Sequence, residues 1–308
     1  MTTPRLMLAV FAVTTLSACL PANPGSELAD RLPDDRLLIN MPVDDGAKDE
    51  REWSEAYLFT SQVTRDVNNM TGFVLVLVDT ITDFPATYVD GDNNHATWGP
   101  WSDALDPVET ALTVQLQDDG STTWQFQQKP KGADDSEYVP VIAGEVDADS
   151  AEGTGSGRFA IDYDALNELD PNQSATGAYA VEYEVDESGV RGQAAFQNFS
   201  DNGGEVFDAL YRYDQVHGGQ GEMDLGWTTD GEDLGSELVW IVRSRWTEIG
   251  EGRSDSLVTG GELGESFATA SECWDNSFAP VYMQNSWEGV LDGEEEACSF
   301  SDAEYPAE

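Results

Sequence analysis

The chain of 308 residues carries 60 Asp and Glu against 14 Lys and Arg, which gives a formal net charge of −46. So negative a field repels nucleic acid and anionic lipid headgroups, and both are therefore excluded as partners. Hydrophobic residues make up 40% of the chain and include nine Trp, too many for a disordered protein, so we expect a folded domain with an acidic surface. An acid-rich, Lys-poor surface is typical of adaptation to a salty medium, where screening relieves self-repulsion; a role in collecting cations is the alternative.

The first 18 residues have the parts of a secretory leader. Arg5 is the only charge before the apolar stretch 6–16, which at 11 residues is shorter than the roughly 20 needed to span a bilayer. The small residues Ser17 and Ala18 then directly precede Cys19.

The tetrapeptide LSAC, residues 16–19, resembles the lipobox of bacterial lipoproteins. The resemblance implies that Cys19 receives a diacylglycerol and becomes the acylated N-terminus that anchors the protein in a lipid bilayer. Leu20 stands where familiar lipoproteins retained in the inner membrane have Asp, which implies the outer membrane, at its periplasmic face or at the cell surface. An ordinary secreted protein with a chance cysteine is the alternative.

Residues 19–46 are rich in Pro, Asp and Gly and lack sustained periodicity, which predicts a flexible acidic tether. Residues 47–84 then predict one long helix, capped at residues 44–46 and ended by Pro85. Its apolar stripe follows alternating steps of three and four, with Thr60 as the one polar interruption: Trp53, Ala56, Val63, Val67, Met70, Val74, Leu77, Ile81 and Phe84. A strand over the β-branched residues 73–78 is the alternative.

From about residue 95 the apolar period changes to two, with turn signals such as DDG and DESG between the segments. We expect 11 or 12 strands in an antiparallel meander, with residues 47–308 forming a single mainly β domain. The sheet is predicted to form a curved sheet or a half- or closed barrel, with the N-terminal helix packed on or in it. The alternation is clearest in ALTVQLQ (111–117), TWQFQ (123–127), RFAIDY (158–163), AYAVEYEV (178–185), FDALYRY (207–213) and ELVWIV (237–242).

Cys273 and Cys298 form an even pair once Cys19 is acylated, and an exported protein meets an oxidising compartment. We therefore predict a disulfide that fastens the C-terminal segment to the strand ending in SECW. A metal site lacks ligands, because no His lies near these cysteines and no C-x-x-C occurs. No metal or cofactor is expected.

Two pairs of residues are candidate ligand contacts. Trp98 and Trp101 flank a Gly-Pro turn in TWGPWSD, either as an aromatic clamp or as a plug that closes a corner of the sheet. Arg243 and Arg245 share one face of a strand in VRSRW, either to hold an anionic group or to pair with acids of adjacent strands. TWGPWSD, together with ECWD and the later C-x-F, resembles uncharacterised bacterial lipoproteins, which brings no assigned activity.

A further set of strand side chains could line an apolar pocket or pack against the helix: Phe159, Ile161, Tyr163, Tyr179 and Tyr183. No catalytic residue is predicted, because the sequence has no G-x-S-x-G, H-E-x-x-H, Walker loop or G-x-G-x-x-G, and only two His. The acidic stretch from Asp147 lacks the Gly and Glu that an EF-hand loop requires.

These observations predict a non-enzymatic outer-membrane lipoprotein that binds or shelters an amphipathic ligand or serves envelope assembly. Its expected shape is similar to that of half-barrel lipoprotein carriers. The alternatives are an acidic surface or structural protein without a ligand and an envelope hydrolase that uses carboxylates. An open apolar cavity would favour the first function, a filled interior the second, and two facing carboxyl groups with raised pKa the third.

Overall fold

The computed structural model describes residues 25–43, 53–150, 154–170, 172–201, 203–229, 237–264 and 266–305. The expected leader, Cys19 and the expected helix cap at 44–46 lie outside these ranges. No helix in the described part of the chain is both long enough and apolar enough to cross a bilayer.

Fifteen antiparallel strands form one sheet, in which each strand pairs with the next one along the chain. Among the described residues β1 and β15 are its edges and do not pair with each other, so the sheet is open. The predicted β meander with one long helix is confirmed, with more strands than expected. The strands are β1 Tyr88–Val89, β2 His95–Trp101, β3 Val108–Leu116, β4 Thr122–Pro130, β5 Val139–Val146, β6 Gly155–Asp162, β7 Thr176–Val185, β8 Gly189–Ser200, β9 Phe207–Val216, β10 Gly221–Thr229, β11 Leu238–Trp246, β12 Gly252–Gly260, β13 Phe267–Trp274, β14 Pro280–Asn285 and β15 Gly289–Gly293.

In the described ranges three α-helices accompany the sheet: α1 Ser26–Ala29, α2 Glu55–Thr82 and α3 Tyr163–Leu169. Helix α2 begins after Ser54, whose side chain accepts a hydrogen bond from the backbone N–H of Tyr57 at 3.0 Å. The cap therefore lies at Ser54 rather than at 44–46. Residues 73–78 are helical, which excludes the strand alternative. Short 3₁₀ turns cover Asp35–Leu37, Asp135–Glu137, Gly261–Leu263 and Glu295–Ala297.

The buried side of α2 is rotated from the predicted apolar stripe. Trp53 and Phe84, at the ends of that stripe, are exposed, and Ala56, Val63, Met70, Leu77 and Ile81 are only partly buried. Three threonines lie on the buried side because hydroxyl groups of the sheet face them, a compensation that the apolar pattern does not reveal. The buried residues of the helix are Tyr57, Thr60, Thr64, Val67, Thr71, Val74, Leu75 and Val78.

The threonine contacts define how α2 crosses the sheet. The Thr71 hydroxyl lies 2.8 Å from that of Tyr179 on β7, and the Thr64 hydroxyl 3.4 Å from that of Tyr211 on β9. The Thr60 hydroxyl lies 2.8 Å from that of Ser244 on β11. A helix of 28 residues is about 42 Å long and strands lie about 4.8 Å apart, so α2 runs across many strands rather than along one. We call the side of the sheet that it covers the helix face.

The prediction of a flexible tether over residues 19–46 is wrong for residues 25–43, because these residues pack against the domain. Four apolar side chains in this acidic stretch are buried, namely Leu28, Leu37, Ile39 and Met41. The Asn68 side chain accepts a hydrogen bond from the N–H of Ile39 at 3.0 Å and donates to its carbonyl oxygen at 2.7 Å. The Gln215 side chain holds both backbone groups of Asn40 in the same way. Leu37, Ile39 and Met41 alternate with period two, but over only five residues, which is too short a run to distinguish a packed segment from a tether by its pattern.

Large aromatic rings on the helix face lie over glycines of the adjacent strand. Trp246 is paired with Gly221 and Trp124 with Gly144. A Cβ added at Gly221 would lie 2.5 Å from the Trp246 ring, so only glycine leaves room for the indole there. Both indoles are fully buried and contribute to the core beneath α2.

Candidate ligand groove on the helix face

The two predicted tryptophan contacts do not form a clamp. Trp98 is 1% exposed, and its indole N–H donates to the carbonyl oxygen of Phe84 at 2.8 Å, where the chain leaves α2. Trp101 is 41% exposed, after a register irregularity in β2 that contains the Gly99–Pro100 bond. Trp98 therefore closes a corner of the sheet, as the alternative prediction stated, and is not accessible to a ligand.

Arg243 pairs with acids of its own chain. Its guanidinium lies 3.1 Å from Glu222 and 3.5 Å from Asp224 on the neighbouring strand β10. It also lies 3.2 Å from Glu304 near the C-terminus. The prediction of an anionic ligand here is thus replaced by its alternative, cross-strand ion pairing.

Arg245 is paired in the same way, 3.1 Å from Asp255 and 3.2 Å from Glu304. The sequence reasoning missed Arg253, which is fully buried 3.0 Å from Asp255 and 3.0 Å from Glu295. The signal was present, because R-S-D in β12 places Arg253 and Asp255 on one face of a strand.

The arginines hold a C-terminal strap, residues 294–305, against the side of the sheet opposite α2. Arg253 donates to the carbonyl oxygen of Phe300 at 3.0 Å, and Arg245 to that of Asp302 at 2.7 Å. The predicted disulfide between Cys273 and Cys298 is confirmed, with a Cα–Cα distance of 5.5 Å, and it fastens the strap to β13. We call this side of the sheet the strap face.

The aromatic set around Tyr179 packs into the core, although Tyr183 also lines a cavity beside Leu32 and Leu37. Phe159, Ile161, Tyr179 and Tyr183 are buried, and Tyr163 is half-buried beside Phe199. Burial raises the pKa of both the Tyr179 and the Tyr183 phenol above its ordinary value. The core-packing alternative is therefore confirmed for Phe159, Ile161 and Tyr179.

An open apolar groove remains where α2 leaves the helix face uncovered, next to β10–β15. Trp227 and Trp240 stack there on adjacent strands, with ring centroids 5.6 Å apart and planes 10° from parallel. The ring of Phe59, on α2, lies 6.0 Å from that of Trp227. Trp287, in the turn between β14 and β15, is 63% exposed. The groove has a volume of ≈ 540 Å³, and Met283 and Leu291 add to its apolar lining.

Carboxylates line the groove at the end where α2 begins. Glu272 on β13 accepts a hydrogen bond from the backbone N–H of Ala56 at 3.2 Å, so it binds the positive end of the helix dipole. Burial nevertheless raises the pKa of Glu272, with the Ser54 and Ala56 donors acting in the opposite direction. Glu55 lies at the same end, whereas Glu288 lies beside Asn285, whose partner Ala270 is two residues along β13 from Glu272.

Among the described residues, the two carboxyl groups whose pKa is raised lie on opposite faces of the sheet. Burial raises the pKa of Asp224 and of Glu272, but Asp224 faces the strap and Glu272 faces the helix. Within the same described ranges, no group of three or more His, Cys, Asp or Glu is arranged to hold a metal ion.

No protein-family model, curated protein or solved structure matches this chain.

Proposed function

We propose that the chain is a non-enzymatic outer-membrane lipoprotein, acylated at Cys19, whose domain binds the hydrocarbon chain of an amphipathic small molecule. The groove beside α2 is the binding site. The observation that carries the proposal is the stacked pair Trp227 and Trp240, which lines, together with the nearby ring of Phe59, a groove that α2 leaves open.

The size and lining of the groove suit one alkyl chain. Its ≈ 540 Å³ falls within the range of small-molecule sites, about 300–1,000 Å³. Each methylene transferred from water to such a lining contributes about 0.8 kcal/mol, so a chain of several carbons offsets the entropy lost on binding. Trp287 and Leu291, both exposed, leave one side of the site open for entry.

In this proposal the lipid anchor and the groove have two separate roles. Acyl groups at Cys19 would hold the protein on the membrane, while the groove takes up a molecule from the same envelope. Such a molecule, being amphipathic, is most abundant at a membrane surface.

Native mass spectrometry of the full-length protein extracted from its own membrane tests both parts. We expect a mass increase from acyl groups at Cys19 and a stoichiometric small molecule that is released on unfolding. Trp227→Ala with Trp240→Ala should abolish the retained molecule, whereas Trp101→Ala, which removes an exposed indole of β2, should not.

Other outcomes would contradict the proposal in distinct ways. A protein without acyl groups would refute the anchor. An acylated protein with an empty groove would favour the acidic structural protein. Equal loss of the molecule in the Trp101 variant would place binding elsewhere.

A further inference from the structure

We propose that the groove selects amphiphiles with a cationic head group, such as an alkylammonium. The inference rests on the proposed function, since it specifies the head group of the molecule whose chain binds beside Trp227. It follows from the charges around the groove and from their position relative to the aromatic rings.

The groove is lined by acids and by no bases. Glu55, Glu272 and Glu288 are its charged residues, and its described lining includes no Lys, Arg or His. The arginines of the neighbouring strands, Arg243 and Arg253, lie on the strap face, where the carboxylates of Asp224 and Asp255 pair with them. An anionic head group would thus meet like charges without a cationic partner, which selects against it by repulsion.

The strand register separates the acids from the rings along the groove. Trp240 is aligned through Val258 with Ala268 on β13, four residues before Glu272. At about 3.4 Å per residue, the Glu272 position lies about 14 Å along the strand from the Trp227–Trp240 row. The groove therefore has its rings at one end and Glu55 and Glu272 at the other, with Glu288 between them. This arrangement matches an amphiphile whose chain lies on the rings and whose head reaches the glutamates.

The partial burial of Glu272 strengthens the preference for a cationic head group. The pKa of Glu272 is raised by burial, so its carboxylate is incompletely solvated and gains from a nearby cation. Glu288 accepts a hydrogen bond from the Asn285 amide at 3.3 Å, which holds it on the groove lining between Glu272 and the Trp227–Trp240 row. Indole faces also attract ammonium groups, so a head group that slides toward the rings stays bound.

The experiment compares three probes that share a dodecyl chain and differ in the head group: dodecyltrimethylammonium, dodecyl maltoside and dodecyl sulfate. The protein is the chain from residue 19 onward carrying Cys19→Ser, which contains every described residue and no acyl group that competes for the groove. Isothermal titration below micelle-forming concentrations measures each dissociation constant. We expect the ammonium to bind at least about tenfold more tightly than the maltoside, and the sulfate most weakly.

A matched pair of variants separates the groove from the overall charge of the protein. Glu55→Gln with Glu288→Gln should remove most of the preference for ammonium over maltoside. Asp92→Asn with Asp118→Asn makes the same change in charge at exposed turns of the β1–β4 region and should leave the preference intact. Glu272 is left unchanged because it also caps α2.

The outcomes distinguish the two proposals. Equal binding of all three probes would overturn the head-group inference and leave the apolar site standing. A preference for ammonium that falls equally in both variants would assign it to the net charge and also overturn the inference. If none of the three probes binds, both the proposed function and the head-group inference are overturned.

Discussion

Two segments of the chain cover opposite faces of one sheet, and different forces hold them. Helix α2 buries Val67, Val74 and Val78 on the helix face and adds hydrogen bonds between neutral hydroxyls, such as Thr71 to Tyr179. The C-terminal strap on the other face is held by a disulfide, by ion pairs of Arg243, Arg245 and Arg253, and by their bonds to its carbonyl oxygens.

Because different forces hold α2 and the strap, we can predict which of the two segments salt, pH or a reductant releases. Apolar burial and neutral hydrogen bonds do not depend on pH over the range where carboxyl groups titrate, and a reductant leaves them unchanged. Partly exposed ion pairs weaken with salt, and a disulfide is lost on reduction. We therefore expect α2 to remain in place under conditions that release the strap.

The largest expected effect concerns the α2 contact. Tyr179→Ala removes a fully buried ring and should lower the free energy of unfolding by about 3–5 kcal/mol. Tyr179→Phe keeps the ring and loses the hydroxyl, with its 2.8 Å bond to Thr71 and its longer 3.5 Å bond to the carbonyl oxygen of Val67, at a cost of about 1 kcal/mol. Urea unfolding measures both, with the exposed Trp101→Ala as the control. Equal losses in the two Tyr179 variants would mean that the hydrogen bond, and not burial, dominates this contact.

The next effect tests the strap. Cys273→Ala with Cys298→Ala opens a loop with a sequence separation of 25, which in the chain-entropy model lowers the free energy of unfolding by about 3.5 kcal/mol. Hydrogen exchange should accelerate in the strap amides while those of α2 keep their protection. A reductant added to the unmodified protein should reproduce this pattern. Equal acceleration in α2 would refute the independence of the two contacts.

A smaller effect should follow from one charge of the strap. Glu304→Gln weakens the ion pairs with Arg243 and Arg245, and because Glu304 is partly exposed the cost should be about 1 kcal/mol or less. Hydrogen exchange at residues 299–305 should quicken, and added NaCl should quicken it less in the variant than in the unmodified protein. Glu184→Gln, which removes the carboxylate of an exposed pair with Arg191, is the control and should leave the strap unchanged.

The smallest effect concerns pH at the start of α2. Because burial raises the pKa of Glu272, the folded protein binds this proton more tightly than the unfolded chain. That stabilisation is present below the ordinary carboxyl pKa and is lost as pH rises through the raised value. Relative to Glu272→Gln, the unmodified protein should therefore lose stability over this interval, as urea unfolding at about pH 3 to 7 would show. A constant difference across that range would contradict the raised pKa.

The tertiary contacts explain which sequence predictions failed. Alternation with period two identified the strands, since it depends only on which side of a strand each residue faces. The rotation of α2 was missed because Thr60, Thr64 and Thr71 are polar in sequence but find hydroxyl partners in the sheet. The packing of residues 25–43 was missed because the alternation of Leu37, Ile39 and Met41 spans only five residues of an acidic, Pro-rich stretch.

By itself, the sequence determined the β meander, the long helix and the disulfide, and it predicts the lipid anchor at Cys19. These depend on local periodicity, on turn residues and on the parity of the cysteines. The groove could not be predicted from the sequence, because Phe59, Trp227 and Trp287 lie far apart along the chain. Only strand register and the placement of α2 bring them together. The ion-pairing role of Arg243 and Arg245 likewise depends on the tertiary structure, because the Glu304 carboxylate of the strap is 59 or more residues away along the chain.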